Sequence, residues 1–91
     1  MDTTEATTQT TTPENKTITL SDGRIVTIFQ GKGYHSRKAL QESNGDGFLY
    51  LSIFMSMLIE IDGKKVIPEE LDELTSKDYT LIQSNFSDIN F

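Results

Sequence analysis

The stretch Phe48-Leu49-Tyr50-Leu51-Ser52-Ile53-Phe54-Met55-Ser56-Met57-Leu58-Ile59-Glu60-Ile61 constrains this chain more than any other. Eleven of its fourteen positions are apolar or aromatic, and the exceptions, Ser52, Ser56 and Glu60, recur every four residues. On a helix that spacing draws one narrow polar stripe. The pattern therefore predicts a helix over 48–61 that is apolar almost all round. A bilayer span needs about 20 such residues, and the acidic, glycine-broken flanks do not extend this one, so no membrane partner is expected. A helix of this kind must be buried on most sides. Only 91 residues are present to cover it, and self-association or a partner is the natural remedy.

Composition narrows the chemistry. There is no cysteine, hence no disulfide framework, thiolate metal site or cysteine nucleophile. The single His35 excludes a zinc site built on two imidazoles. Eight Lys+Arg against fourteen Asp+Glu give a net charge of -6, which argues against general nucleic-acid binding, since that needs a net basic face.

Residues 1–15 hold seven threonines and, after Met1, a single aliphatic side chain, Ala6. Such a segment buries too little apolar surface to offset the entropy of ordering it, so a disordered, solubilising tail is expected. No basic and apolar leader is present in it, which suggests a cytoplasmic protein. Asp2, Glu5 and Glu14 carry three of the six net negative charges, leaving about -3 on residues 16–91, read as a single domain.

Within that domain, Lys16-Thr17-Ile18-Thr19-Leu20 and Arg24-Ile25-Val26-Thr27-Ile28-Phe29 flank Ser21-Asp22-Gly23, a strong hairpin signal. A two-residue turn would group Ile18, Leu20, Ile25 and Phe29 on one face. A three-residue loop ending in a Gly23 bulge would group Ile18, Leu20, Val26 and Ile28, and is preferred because it aligns two clean alternations. A helix is expected from Tyr34 to Ser43, ended by Asn44-Gly45-Asp46-Gly47. After Asp62-Gly63, with Val66-Ile67 a short extended piece, Pro68 opens a turn or two of helix. Thr75-Ser76-Lys77-Asp78 resembles a capping box before a last helix carrying Tyr79, Leu81, Ile82 and Phe86. The fold class is α+β: an N-terminal β-hairpin packed on a bundle of three to four helices.

Motifs that would carry catalysis fail on inspection. Gln30-Gly31-Lys32-Gly33 lacks the first glycine of a phosphate-binding loop and reads as a strand-to-helix turn. Glu42-Ser43-Asn44-Gly45-Asp46-Gly47 has some spacing of a calcium loop, but Ile53 falls where the bidentate carboxylate belongs. His35 has no nucleophile in a useful relation to it and reads as a helix-start residue. No cofactor, metal or catalytic residue is predicted. Lys32, His35, Arg37 and Lys38 form a small basic island, whereas residues 60–78 hold seven acids against three lysines; two patches of opposite sign can steer docking, and ordinary solvated faces explain them equally well.

The order of these pieces is familiar. Thr17–Ile28 with its Leu20-Ser21-Asp22-Gly23 turn is followed by Gly33–Ala39 and an apolar helix. Glu60-Ile61-Asp62-Gly63-Lys64, Leu71-Asp72-Glu73-Leu74, and Asp78 before a terminal helix ending in phenylalanine complete the pattern. Residues 17–91 resemble the small tail assembly proteins of tailed bacteriophages, the Mu-like tail assembly chaperone group. The resemblance implies non-enzymatic work in the host cytoplasm: keeping the long tape measure protein soluble while tail tube subunits assemble around it. The helix over 48–61 would then supply an adaptable apolar groove, with Phe48, Leu51, Phe54, Met55, Met57 and Leu58 as the partner-binding residues. A second reading is a structural or adaptor virion protein that forms a homo-oligomer through the same helix. A third is a small regulator of the antitoxin type.

Overall fold

The computed structural model describes residues 15–91. The expected disordered tail lies outside the described residues, apart from Asn15, which opens the first strand. Strands β1 (Asn15–Thr19) and β2 (Ile25–Phe29) form the hairpin. Helices α1 (Gly33–Glu42) and α2 (Gly47–Leu58) follow. A second, smaller hairpin, β3 (Ile59–Ile61) and β4 (Lys64–Lys65), leads to the short α3 (Pro68–Asp72) and the long α4 (Ser76–Asn90). The α+β class is as expected, and the sheet is larger than expected: four antiparallel strands in the order β1-β2-β3-β4.

The first hairpin takes the three-residue loop. Ile18 pairs with Val26 and Thr19 with Ile25, while the Leu20 amide donates to the Arg24 carbonyl at 2.9 Å. Gly23, at φ +95°, supplies the left-handed residue that this loop requires. Leu20, Val26 and Ile28 are thereby buried and Ile18 packs against them, while Ile25 and Phe29 fall on the other face.

The apolar stretch is split, which corrects the single helix over 48–61. Helix α2 stops at Leu58, and Ile59 is already extended, with φ -125° and ψ 155°. Ile59 pairs with Ile28 and Ile61 with Val26, so both isoleucines enter the core and Glu60 points away from it. Two-residue alternation with β-branched side chains at each end suits a strand, and pairing with β2 decides the matter. Glu60 thus leaves the Ser52–Ser56 stripe and lies 3.8 Å from Lys65 across the small hairpin. Asp62 (φ 51°) and Gly63 (φ 80°) form its two-residue turn, and the extended pair is Lys64–Lys65 rather than Val66-Ile67.

Helix ends follow their local signals. The Asp46 carboxylate accepts the Phe48 amide at 2.9 Å, the Glu70 carboxylate the Ile67 amide at 2.9 Å, and the Thr75 hydroxyl the Asp78 amide at 3.2 Å. The core lies between the inner face of β2–β3 and the helices, which contribute Ala39, Phe54, Met55, Leu58, Leu71, Ile82 and Phe86. Each of these side chains except Ala39, removed from water, stabilises the fold by about 1.5–3 kcal/mol.

Candidate partner-binding surface

The six residues expected to meet a partner do not share one surface. Phe54, Met55 and Leu58 are buried, with the Phe54 ring edge-on to Phe86 at 5.1 Å. Leu51 and Met57 are half-buried against that core. Only Phe48 stands clear, at 92% exposure. The expected continuous groove is corrected accordingly: α1, α3 and, through Phe86 on Phe54, α4 cover most of α2.

Phe48 lies seven residues before Met55, close to two helical turns, and so on nearly the same side of α2. The stripe that is buried at Met55 is half-buried at Leu51 and emerges into solvent at Phe48. Leu49 beside it is also exposed, as are Leu40 and Tyr34 on the antiparallel helix α1. Sequence reasoning singled out Phe48 and missed the other three. Their signal is weak, because a leucine in a short helix reads as core until the packing is known.

The corner that carries these side chains is built firmly. Asn44 (φ 53°) and Gly45 (φ 81°) turn the chain sharply after α1, and Ser43 is buried with its hydroxyl donating to the Leu40 carbonyl at 2.8 Å. Farther along, the Ser36 and Tyr50 hydroxyls meet at 2.5 Å and join α1 to α2. Exposure of Leu40, Phe48 and Leu49 is therefore a property of an anchored helix pair.

The electrostatics are uneven. Lys32, Arg37 and Lys38 are exposed and form no ion pair among the described residues, whose ion pairs are Lys16–Asp88, Arg24–Asp22 and Lys65–Glu60. His35 serves the backbone: its Nδ1 accepts the Lys32 amide at 3.0 Å, and its ring stacks on Tyr34 at 4.1 Å. The Gly31 amide donates to the Asn90 side-chain oxygen at 2.7 Å. With these two amides committed, the glycine-rich turn does not present them to an anion.

Elsewhere, one open depression between α3 and α4 is lined by Leu71, Leu74 and Tyr79, and another beside the small hairpin by Arg24, Lys64 and Glu70. Among the described residues no cluster of His, Asp or Glu is arranged to hold a metal, and no helix is long and apolar enough to cross a membrane. No family model, curated protein or solved structure matches this chain.

Proposed function

We propose that this chain is a non-enzymatic protein-binding module that acts as a bacteriophage tail assembly chaperone, holding the tape measure protein soluble in the cytoplasm of the bacterial host. The tail assembly part of this reading rests on the order of turns, caps and apolar segments along residues 17–91. The observation that carries the binding part is Phe48, 92% exposed at the start of a helix whose other end is in the core. A large apolar side chain held in water by a rigid corner, with Leu40 and Leu49 also exposed, is a surface awaiting a cover. Covering Phe48 alone would contribute about 1.5–3 kcal/mol to a complex.

Co-expression with a phage tape measure protein, followed by size-exclusion chromatography with light scattering, tests the proposal. The expected result is a shared, soluble peak that Phe48→Asp abolishes while the variant itself stays folded. A homo-oligomer that leaves the tape measure protein insoluble would favour the structural virion reading and overturn this one.

A further inference from the structure

Four glycines of this chain follow an aspartate or an asparagine, and three of those four side chains are engaged. The Asp22, Asp46 and Asp62 carboxylates accept the amides of Arg24 at 3.1 Å, Phe48 at 2.9 Å and Ile25 at 2.9 Å. The fourth, Asn44 before Gly45, is exposed, and its side chain bonds to nothing among the described residues. What the turn takes from Asn44 is its backbone, at φ 53°, a conformation that asparagine visits more readily than most residues. The Gly45 amide also makes no hydrogen bond among the described residues, although its neighbours do: Asn44 donates to the Gln41 carbonyl at 3.2 Å and Asp46 to the Ser43 carbonyl at 3.0 Å. A free amide nitrogen with no Cβ beside it thus follows an unencumbered carboxamide, between α1 and α2 and outside both. No other asparagine is so placed. Asn15 precedes Lys16 in β1, whereas Asn85 and Asn90 lie in α4, each before a phenylalanine and each with its side chain hydrogen-bonded.

We infer that Asn44 is a site of spontaneous deamidation, and that the modification loosens the turn between α1 and α2. The Gly45 nitrogen attacks Asn44 Cγ. The N–Cγ bond forms, the Cγ–Nδ2 bond breaks, and Nδ2 leaves as ammonia with the proton that the Gly45 nitrogen gives up. Water then opens the five-membered imide. Addition at Cγ breaks the new bond and leaves aspartate at position 44. Addition at the main-chain carbonyl breaks the original peptide bond and leaves isoaspartate, with the chain continuing through Cγ. Nothing is oxidised or reduced. Either product places a carboxylate between Glu42 and Asp46 at the C-terminal end of α1, where the helix dipole disfavours it. Isoaspartate also adds a methylene to the main chain inside the Asp46–Ser43 hydrogen bond, in the turn that holds Ser43 buried.

The full chain, incubated at mildly alkaline pH beside a free peptide carrying residues 40–49, tests this by intact mass and peptide mapping. The expected result is conversion at position 44 no more than about tenfold slower than in the peptide, with both aspartate and isoaspartate formed and Asn15, Asn85 and Asn90 intact. Asn44→Gly, which suits the positive φ and lacks the carboxamide, should abolish the conversion. Native-state hydrogen exchange of the aged chain should show the Asp46 amide exchanging faster. Fresh Asn44→Asp, which has the charge without the added methylene, should show a smaller change. Conversion slower than that limit, or conversion first at another asparagine, overturns the site. Conversion that leaves the Asp46 amide as protected as before overturns the loosening.

Discussion

Ser21 and Asp78 tie the turn of the first hairpin to the start of α4. The Asp78 carboxylate accepts the Ser21 hydroxyl at 2.7 Å and the Ser21 amide at 3.1 Å, although the two residues are 57 positions apart. At the other end of the same helix, the Asn90 side chain accepts the Gly31 amide at 2.7 Å and donates to the Phe29 carbonyl at 3.2 Å. Helix α4 is thus latched to both ends of β2, with Ile82 and Phe86 buried between the latches.

The Asp78 latch makes stability sensitive to acid. The Ser21 hydroxyl and then the Ser21 amide hold the Asp78 carboxyl below its ordinary value of 3.8, against the opposing effect of burial and with smaller help from the Thr75 hydroxyl and the Arg24 charge. Folding lowers the proton affinity of this group, so the unfolded chain binds more protons. The stability it contributes is fully present above 3.8 and is lost as pH falls through the lower folded-state value. Urea midpoints should fall below about pH 4, and Asp78→Asn should start lower and flatten that decline.

At the Asn90 latch, Asn90→Ala removes the partner from one half-buried donor, the Gly31 amide, and one half-buried acceptor, the Phe29 carbonyl. A loss of about 1–3 kcal/mol is expected from urea unfolding. Native-state hydrogen exchange should show the Gly31 amide among the protons that lose most protection.

Two neighbouring glycines should respond in opposite ways to alanine. A Cβ at Gly31 would collide with the Leu58 side chain, whereas one at Gly33, the first residue of α1, meets nothing within 4 Å. Gly31→Ala should cost about 1–3 kcal/mol through overpacking. Gly33→Ala should be neutral or stabilise by up to about 1 kcal/mol, because it reduces the freedom of the unfolded chain. Thermal melts of the pair provide the check.

Phe86 and Phe48 separate stability from binding. Phe86 is fully buried and meets Phe54, so Phe86→Ala should cost about 3–5 kcal/mol in urea unfolding. Phe48→Ala, on a side chain in water, should change stability by no more than about 0.5 kcal/mol and still weaken partner capture.

Much of this fold was legible because the signals were local. Asp22-Gly23 marked the hairpin, the alternation of the two flanking runs favoured its three-residue loop over a two-residue turn, and Pro68 and Thr75 marked helix starts. The second hairpin was not legible in the same way. Glu60 continues the four-residue spacing of Ser52 and Ser56 as well as it fits a two-residue alternation with Ile59 and Ile61, and only pairing with β2 separates the two. Asp78 read as a capping residue, yet its carboxylate serves Ser21, a partner that no local pattern indicates. The candidate surface suffered from the same limit. Apolar character alone does not distinguish Phe54, which Phe86 covers, from Phe48, which nothing in the described chain covers.

The most direct test of the central claim is residue-resolved: amide chemical shifts of the labelled full chain, recorded while a soluble segment of the tape measure protein is titrated in. The account predicts that shifts concentrate at Leu40, Phe48 and Leu49, with the amides of Phe54, Met55, Ile82 and Phe86 unmoved. Shifts that spread through those core residues and spare the corner would contradict it, because the partner would then be opening the fold instead of covering an exposed surface.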